Sequence, residues 1–137
     1  MAKTLNLQIV TPEGLTYSQE VEIVVLRAPD GQIGILPHHI PLMTQMLRGE
    51  MMVRKEGRAQ FLAVGEGLVE VTGDSVSILT DMAIEAENID EAKAEEARQR
   101  AAARLREKIS AEEVASVNAS LARSLAQLHV KRRRRTA

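Results

Sequence analysis

The residues best suited to chemistry in this chain are an adjacent histidine pair, His38-His39, and a C-terminal run of cations, Lys131-Arg132-Arg133-Arg134-Arg135. Two imidazoles invite a metal or acid–base reading. Adjacent histidines on a loop, however, lack the cooperating third ligand or nucleophile that such chemistry needs. A solvated or packed loop and a protein–protein contact are the other readings of this pair. The cationic run can hold nucleic acid or anionic lipid electrostatically, but no aromatic residue stands near it to stack a base. It equally suits a solvated helix end that complements the helix dipole, or an acidic protein surface. The chain has no cysteine, which removes disulfides, thiolate metal sites and cysteine nucleophiles. No catalytic triad, glycine-rich phosphate loop, pair of catalytic carboxylates or metal cluster is legible. No catalytic residue and no metal site is expected, and the chain reads as non-catalytic on its own.

The elements that must position these residues fall into two halves. Leu5, Leu7 and Ile9 alternate with polar neighbours, as do Val21, Ile23 and Val25, with Val24 and Leu26 on the other face. Phe61, Ala63, Leu68, Val69, Val71, Val76, Ile78 and Leu79 continue the pattern. Period-two alternation in short runs predicts half-buried antiparallel strands. Turn signals separate the runs: Pro12-Glu13-Gly14, Pro29-Asp30-Gly31, Glu56-Gly57, Gly65-Glu66-Gly67 and Gly73-Asp74. Many short strands with regular turns indicate a sandwich or barrel. Phe61 and Tyr17 are the only aromatic residues, so the core must be aliphatic.

Glycine and proline end at Gly73, and the pattern then changes to helical spacing. Asn88 with Glu91 reads as a capping box for a first helix, with an apolar stripe of Ile89, Ala92 or Ala94, Ala97, Ala101, Leu105 and Ile109. Ser110 with Glu113 repeats the signal for a second helix striped by Val114, Val117, Leu121, Leu125 and Leu128. The break near Lys108-Ile109 predicts a short hairpin loop. The fold class is therefore segregated α+β, a β-sandwich over residues 1–86 followed by an antiparallel two-helix hairpin over 87–137. The halves differ in charge, net −5 and net +4, which suggests different partners. The first helix offers mostly alanine, and a buried methylene stabilises by only about 0.8 kcal/mol. The hairpin is thus expected to be lightly held, with the leucine stripe as its switch surface. No apolar run approaches the length of a membrane span, and Met1-Ala2-Lys3-Thr4 passes directly into alternation, so no signal peptide is expected.

The most specific stretch is Gly31-Gln32-Ile33-Gly34-Ile35-Leu36-Pro37-His38-His39-Ile40-Pro41-Leu42. It resembles the G-E-x-G-I-x-P-G-H-x-P-L signature of the epsilon subunits of F-type ATP synthases, called delta in mitochondria. Thr11-Pro12-Glu13, Gly65-Glu66-Gly67-Leu68-Val69-Glu70-Val71, Val76-Ser77-Ile78-Leu79-Thr80-Asp81-Met82-Ala83 and Ile89-Asp90-Glu91-Ala92-Lys93-Ala94 resemble further family segments in the same order. Gln32 replaces the family glutamate. His38 stands where the family commonly has glycine, and its β-carbon argues against a required positive φ there.

The resemblance implies a ten-stranded flattened sandwich carrying a two-helix domain. It also implies a place on the central stalk of a rotary complex, beside the gamma subunit and against the membrane c-ring. Asp30, Gln32, His38 and His39 would face the c-ring or gamma. Asp90, Lys93, Arg100 and Arg123 match a motif that holds ATP in some bacterial relatives, although Lys93 replaces an arginine and Gln127 a further one. Arg98, Arg104, Arg123, Lys131 and Arg132 would meet carboxylates of the catalytic alpha/beta subunits when the hairpin extends, restraining ATP hydrolysis. No cofactor is required, with ATP a regulatory ligand at most. The implied location is the cytoplasmic face of the bacterial inner membrane, reached only through the complex, with no nucleic-acid partner. A free-standing ATP-sensing module and a nucleic-acid adaptor are the rival readings.

Overall fold

Alternation at Leu5, Leu7 and Ile9 becomes strand β1 (Leu5–Thr11), with those three side chains and Thr11 turned inward. The computed structural model describes residues 3–107 and 109–135. Met1 and Ala2 of the N-terminal run, Lys108 at the predicted helix break, residues 136–137 and the Arg135 side chain lie outside the described residues. The strands continue as β2 (Gly14–Val21), β3 (Ile23–Ala28), β4 (Gly31–Ile35), β5 (Leu42–Met46) and β6 (Gly49–Lys55). They end with β7 (Arg58–Val64), β8 (Gly67–Thr72), β9 (Ser75–Thr80) and β10 (Ala83–Glu85). Helices α1 (Glu91–Leu105) and α2 (Ala111–Arg135) follow a 3-10 turn at Ala86–Asn88.

Two five-stranded sheets face each other, ordered β2-β1-β9-β8-β5 and β10-β7-β6-β3-β4. The first is not wholly antiparallel as alternation had suggested, because β1 and β9 run parallel, Ile9 beside Ile78. Side-chain periodicity is two in either direction, so it carries no information about strand polarity. Inward residues of both sheets, Leu7, Ile9, Val24, Leu26, Leu62 and Ile78 among them, form an aliphatic core. Tyr17 closes its edge by donating to Gln60 Oε1 at 3.2 Å. Burial, helped by nearby Glu85, pushes the Tyr17 phenol above its ordinary pKa.

The hairpin has its own small cluster, separate from the sandwich core. Ala126 and Val130 of α2 pack on Ala63 of β7, on Met82 and on Ile89. Asp90, not Asn88, caps α1: its carboxylate accepts from the Lys93 backbone N–H at 3.1 Å. Asn88 lies in the 3-10 turn and donates to Glu85 instead. Ser110 does serve α2, accepting from the Glu113 N–H at 3.2 Å. Ala94 and Ala101 are buried, whereas Ala92 is exposed.

His38 corrects the expectation drawn from its β-carbon. Its φ is +65°, the left-handed conformation natural to glycine. A local contact offsets the steric cost. Its N–H donates to Asp74 Oδ1 at 2.9 Å and its Nδ1 lies 3.3 Å from the same oxygen. Substituting His38→Val puts a β-branched side chain in that conformation and removes the imidazole contact. It should destabilise the chain by about 2 kcal/mol in urea unfolding, with His38→Gly within about 1 kcal/mol of the parent.

Candidate functional site

Three surfaces carry the residues able to meet a partner. The first is the loop between β4 and β5. Pro37 and Pro41 bound its tip, the His39 N–H donates to the Leu36 carbonyl at 3.2 Å, and the His39 ring meets the Ile40 carbonyl at 2.7 Å. Both histidine rings are thus held locally, while Leu36 and Ile40 project into solvent. Asp30 sits in the β3–β4 turn and Gln32 at the start of β4, so these two lie at the opposite end of that strand from His38 and His39. The four residues do not form one cluster.

The second surface was missed by sequence reasoning. On the outer face of the first sheet, Leu15, Val10, Leu79 and Leu68 stand in cross-strand register on β2, β1, β9 and β8. Leu15, Leu79 and Leu68 are 60%, 55% and 51% exposed. A bulge between Ile9 and Val10 skips Thr16 in the pairing. That one-residue slip swings Leu15 from the inward parity of Tyr17 to the outer face. Aligned exposed aliphatics of this kind mark a docking surface. Two of the four, Leu68 and Leu79, had been read only as strand residues.

The third surface is the hairpin. Asp90 is engaged as the α1 cap, and Lys93 is exposed one turn on. Arg123 reaches Asp81 at 3.4 Å and donates to Ser120 Oγ at 3.1 Å. Arg100 lines a shallow groove that also includes Ser120. Arg100 and Arg123 are thus linked only through Ser120, which lines the groove with Arg100 and accepts from Arg123, while Asp90 and Lys93 lie two to three turns away along α1. The other cations find carboxylates or carbonyls of their own chain. Arg98 pairs with Glu95, Arg104 with Glu107 and Glu113, and Arg132 with Glu91 and Glu95. Lys131 donates to the Ala86 carbonyl at 3.2 Å. Within the leucine stripe, Leu128 is buried and Leu121 partly so, but Leu125 is half exposed. Ala126 and Val130, absent from that stripe, make the contact with the sandwich.

A hydrogen bond from the Arg98 guanidinium, with smaller help from Gln99 and Arg132, lowers the Glu95 carboxyl from 4.5 to about 2. A depressed carboxyl contributes its stabilisation fully above its unfolded value and loses it only as pH falls through the folded one. The Glu95 pairs should accordingly persist at pH 4. A carbon-detected NMR titration should place the Glu95 midpoint near 2.

Comparison with known proteins bears on what these surfaces are for. Residues 4–86 match the family model for the ATP synthase delta/epsilon chain beta-sandwich domain, and residues 87–132 match that for its long alpha-helix domain. The chain belongs to the ATP synthase delta/epsilon family. An ATP synthase epsilon chain of Bacillus subtilis is 46% identical over 103 residues, 75% of this chain and 78% of the relative. One from Alkalilimnicola ehrlichii is 39% identical over 133 residues, 96% of this chain and 95% of the relative. The fold also resembles a chain in the Euglena gracilis mitochondrial ATP synthase OSCP/F1/c-ring structure in rotational state 1. That match has a TM-score of 0.67 at 22% identity, covering 87% of this chain and 76% of the other. The family's members are non-catalytic subunits of the synthase. No helix among the described residues is long and apolar enough to cross a membrane.

Proposed function

We propose that this chain couples c-ring rotation to the catalytic head of an F-type ATP synthase and restrains ATP hydrolysis through its C-terminal hairpin. In this reading the sandwich is the fixed part. Its exposed Leu15-Val10-Leu79-Leu68 band docks the gamma subunit, and the β4–β5 loop with His38, His39 and Ile40 meets the c-ring. The chain then works from the cytoplasmic face of the bacterial membrane, held there by the complex.

The hairpin is the moving part. The observation that carries this is the character of its attachment: a five-residue cluster of Ala63, Met82, Ile89, Ala126 and Val130, flanked by the half-exposed Arg123–Asp81 pair. Exposed pairs are worth about 0–1 kcal/mol each, and small side chains bury little area. A two-state element needs a gap of a few kcal/mol. On extension, Arg98, Arg104, Arg123, Lys131 and Arg132 exchange acceptors of their own chain for carboxylates of the alpha/beta subunits. One set of charges thereby serves both positions. Deleting residues 88–137 should leave assembly of the complex intact and raise its ATP hydrolysis rate several-fold. An unchanged rate would remove the brake.

The groove between α1 and α2 that Arg100 and Ser120 line, with Arg123 donating to Ser120, favours a second reading, in which ATP is a regulatory ligand of the folded hairpin. With Lys93 and Gln127 in place of arginines, that binding is expected to be weak. Calorimetry on the isolated chain should show heat only at millimolar ATP, and none at that concentration rejects it.

A further inference from the structure

The end of α2 is fastened differently from the rest of the hairpin. The Arg134 guanidinium donates to both carboxylate oxygens of Glu50 on β6, at 2.8 and 3.0 Å. The same guanidinium lies 3.6 Å from the ring centroid of Phe61 on β7. Met52 pairs with Phe61, and Glu50 with Ala63, so both contacts lie on the outer face of the second sheet. Arg134 and Glu50 side chains are 22% and 15% exposed. Arg133 also reaches Glu50, at a longer 3.6 Å and 59% exposed, and the arginines of the other hairpin pairs, Arg98, Arg104, Arg123 and Arg132, are all at least 35% exposed.

We propose that the Glu50–Arg134–Phe61 contact is the latch that sets how often the hairpin leaves the sandwich. The inference rests on the two-state reading above and names its control point. Bidentate guanidinium–carboxylate geometry is among the stronger charge-assisted contacts. Desolvation by the flanking aromatic ring strengthens it further. The contact joins residues 84 apart in the chain, so it exists only while the hairpin is docked. Its place at the last described turns of α2 makes it the point from which the helix can peel. Because a charge pair is central, added salt weakens the latch, while the apolar Ala126–Val130 contact is little affected.

The absence of native cysteine allows a direct test on the full chain. A single thiol at Ala126→Cys, buried under the docked hairpin, reports opening through its rate of modification by a soluble disulfide reagent. A thiol at Val69→Cys, inside the sandwich core, reports global unfolding. Arg134→Ala should accelerate modification at position 126 about tenfold and leave position 69 unchanged. Glu50→Gln should accelerate it similarly. The double variant should add little to either, as expected for partners in one contact. Arg134→Lys, which keeps the charge but loses the fork, should fall between. Moving from 0.05 to 1 M salt should accelerate the parent more than Arg134→Ala, in which the exposed Arg123–Asp81 and Arg133–Glu50 pairs remain to be screened. An unchanged rate at position 126 in Arg134→Ala, or equal acceleration at both positions, overturns the latch. Neither outcome touches the brake itself, which stands or falls on hydrolysis by the complex lacking residues 88–137.

Discussion

Leu68→Glu combined with Leu79→Glu should weaken capture of the gamma subunit by roughly a thousandfold while leaving the fold intact. The two side chains are adjacent across β8 and β9 on the outer sheet face, and neither belongs to the buried core. A leucine desolvated at an interface stabilises association by about 2 kcal/mol, and a carboxylate in its place adds an unpaired buried charge. Two such changes amount to at least 4 kcal/mol, or about three powers of ten in Kd. Placing two glutamates side by side costs the isolated chain only a few tenths of a kcal/mol through like-charge repulsion. Circular dichroism and the urea midpoint should therefore match the parent, while surface-plasmon binding to the purified gamma subunit disappears. Full retention of binding would mean that the leucine band faces something else.

Gly67→Ala should destabilise the sandwich by about 3 kcal/mol or more. Gly67 opens β8, a strand paired on both sides, facing Thr80 of β9 and Met46 of β5. A β-carbon there would sit 2.0 Å from the Leu79 carbonyl oxygen and 3.0 Å from its carbon. Those are backbone atoms in the neighbouring strand, so relief requires parting the ladder. Gly34→Ala is the control. Its added carbon would meet only the flexible end of Ile23, at 3.7 Å, and a Val25 methyl at 4.0 Å. It should shift stability by no more than about 0.5 kcal/mol in the same urea titration. Equal effects of the two substitutions would show that close backbone approach is not what selects glycine at 67.

Gly67 also illustrates what a sequence can and cannot convey. The sequence marks it as part of a turn signal, and its neighbourhood does turn, but the reason for glycine is a strand passing close by. Such a contact is non-local, and nothing in Gly65-Glu66-Gly67 encodes it. Strand alternation was legible because it is a local property: Leu5, Leu7 and Ile9 had to share a face whatever they packed against. The same logic located both helices. It failed at Leu15, where a one-residue bulge reversed the parity, and at the parallel pairing of β1 with β9, which periodicity does not encode.

The hairpin shows the same division. Leu121 and Leu128 were found from their spacing, and Leu125 shares that spacing yet remains half exposed. The apolar face that meets the sandwich is made of Ala126 and Val130, which lie on the opposite side of α2 from the leucine stripe. Among the candidate site residues, Arg100 lines the groove beside Ser120 and Arg123 meets Ser120, whereas Asp90 is occupied as a cap and the loop residues split between the ends of β4. Arg134 could be recognised as one of several cations, but its distinction depends on two-point contact with Glu50 and on Phe61, far away in the chain, where Arg133 reaches Glu50 only at 3.6 Å. Ion-pair identity is written in three dimensions and leaves no period in one.

Native-state hydrogen exchange on the full chain tests the detachable hairpin most directly. Amides of α1 and α2 should exchange through an opening several kcal/mol cheaper than that of β1, β6, β8 and β9, which should open only with global unfolding. The difference should shrink as denaturant brings global unfolding within reach. Uniform protection, with helices and strands sharing one opening free energy at every denaturant concentration, would mean that the chain moves as a single body and would contradict a mobile arm.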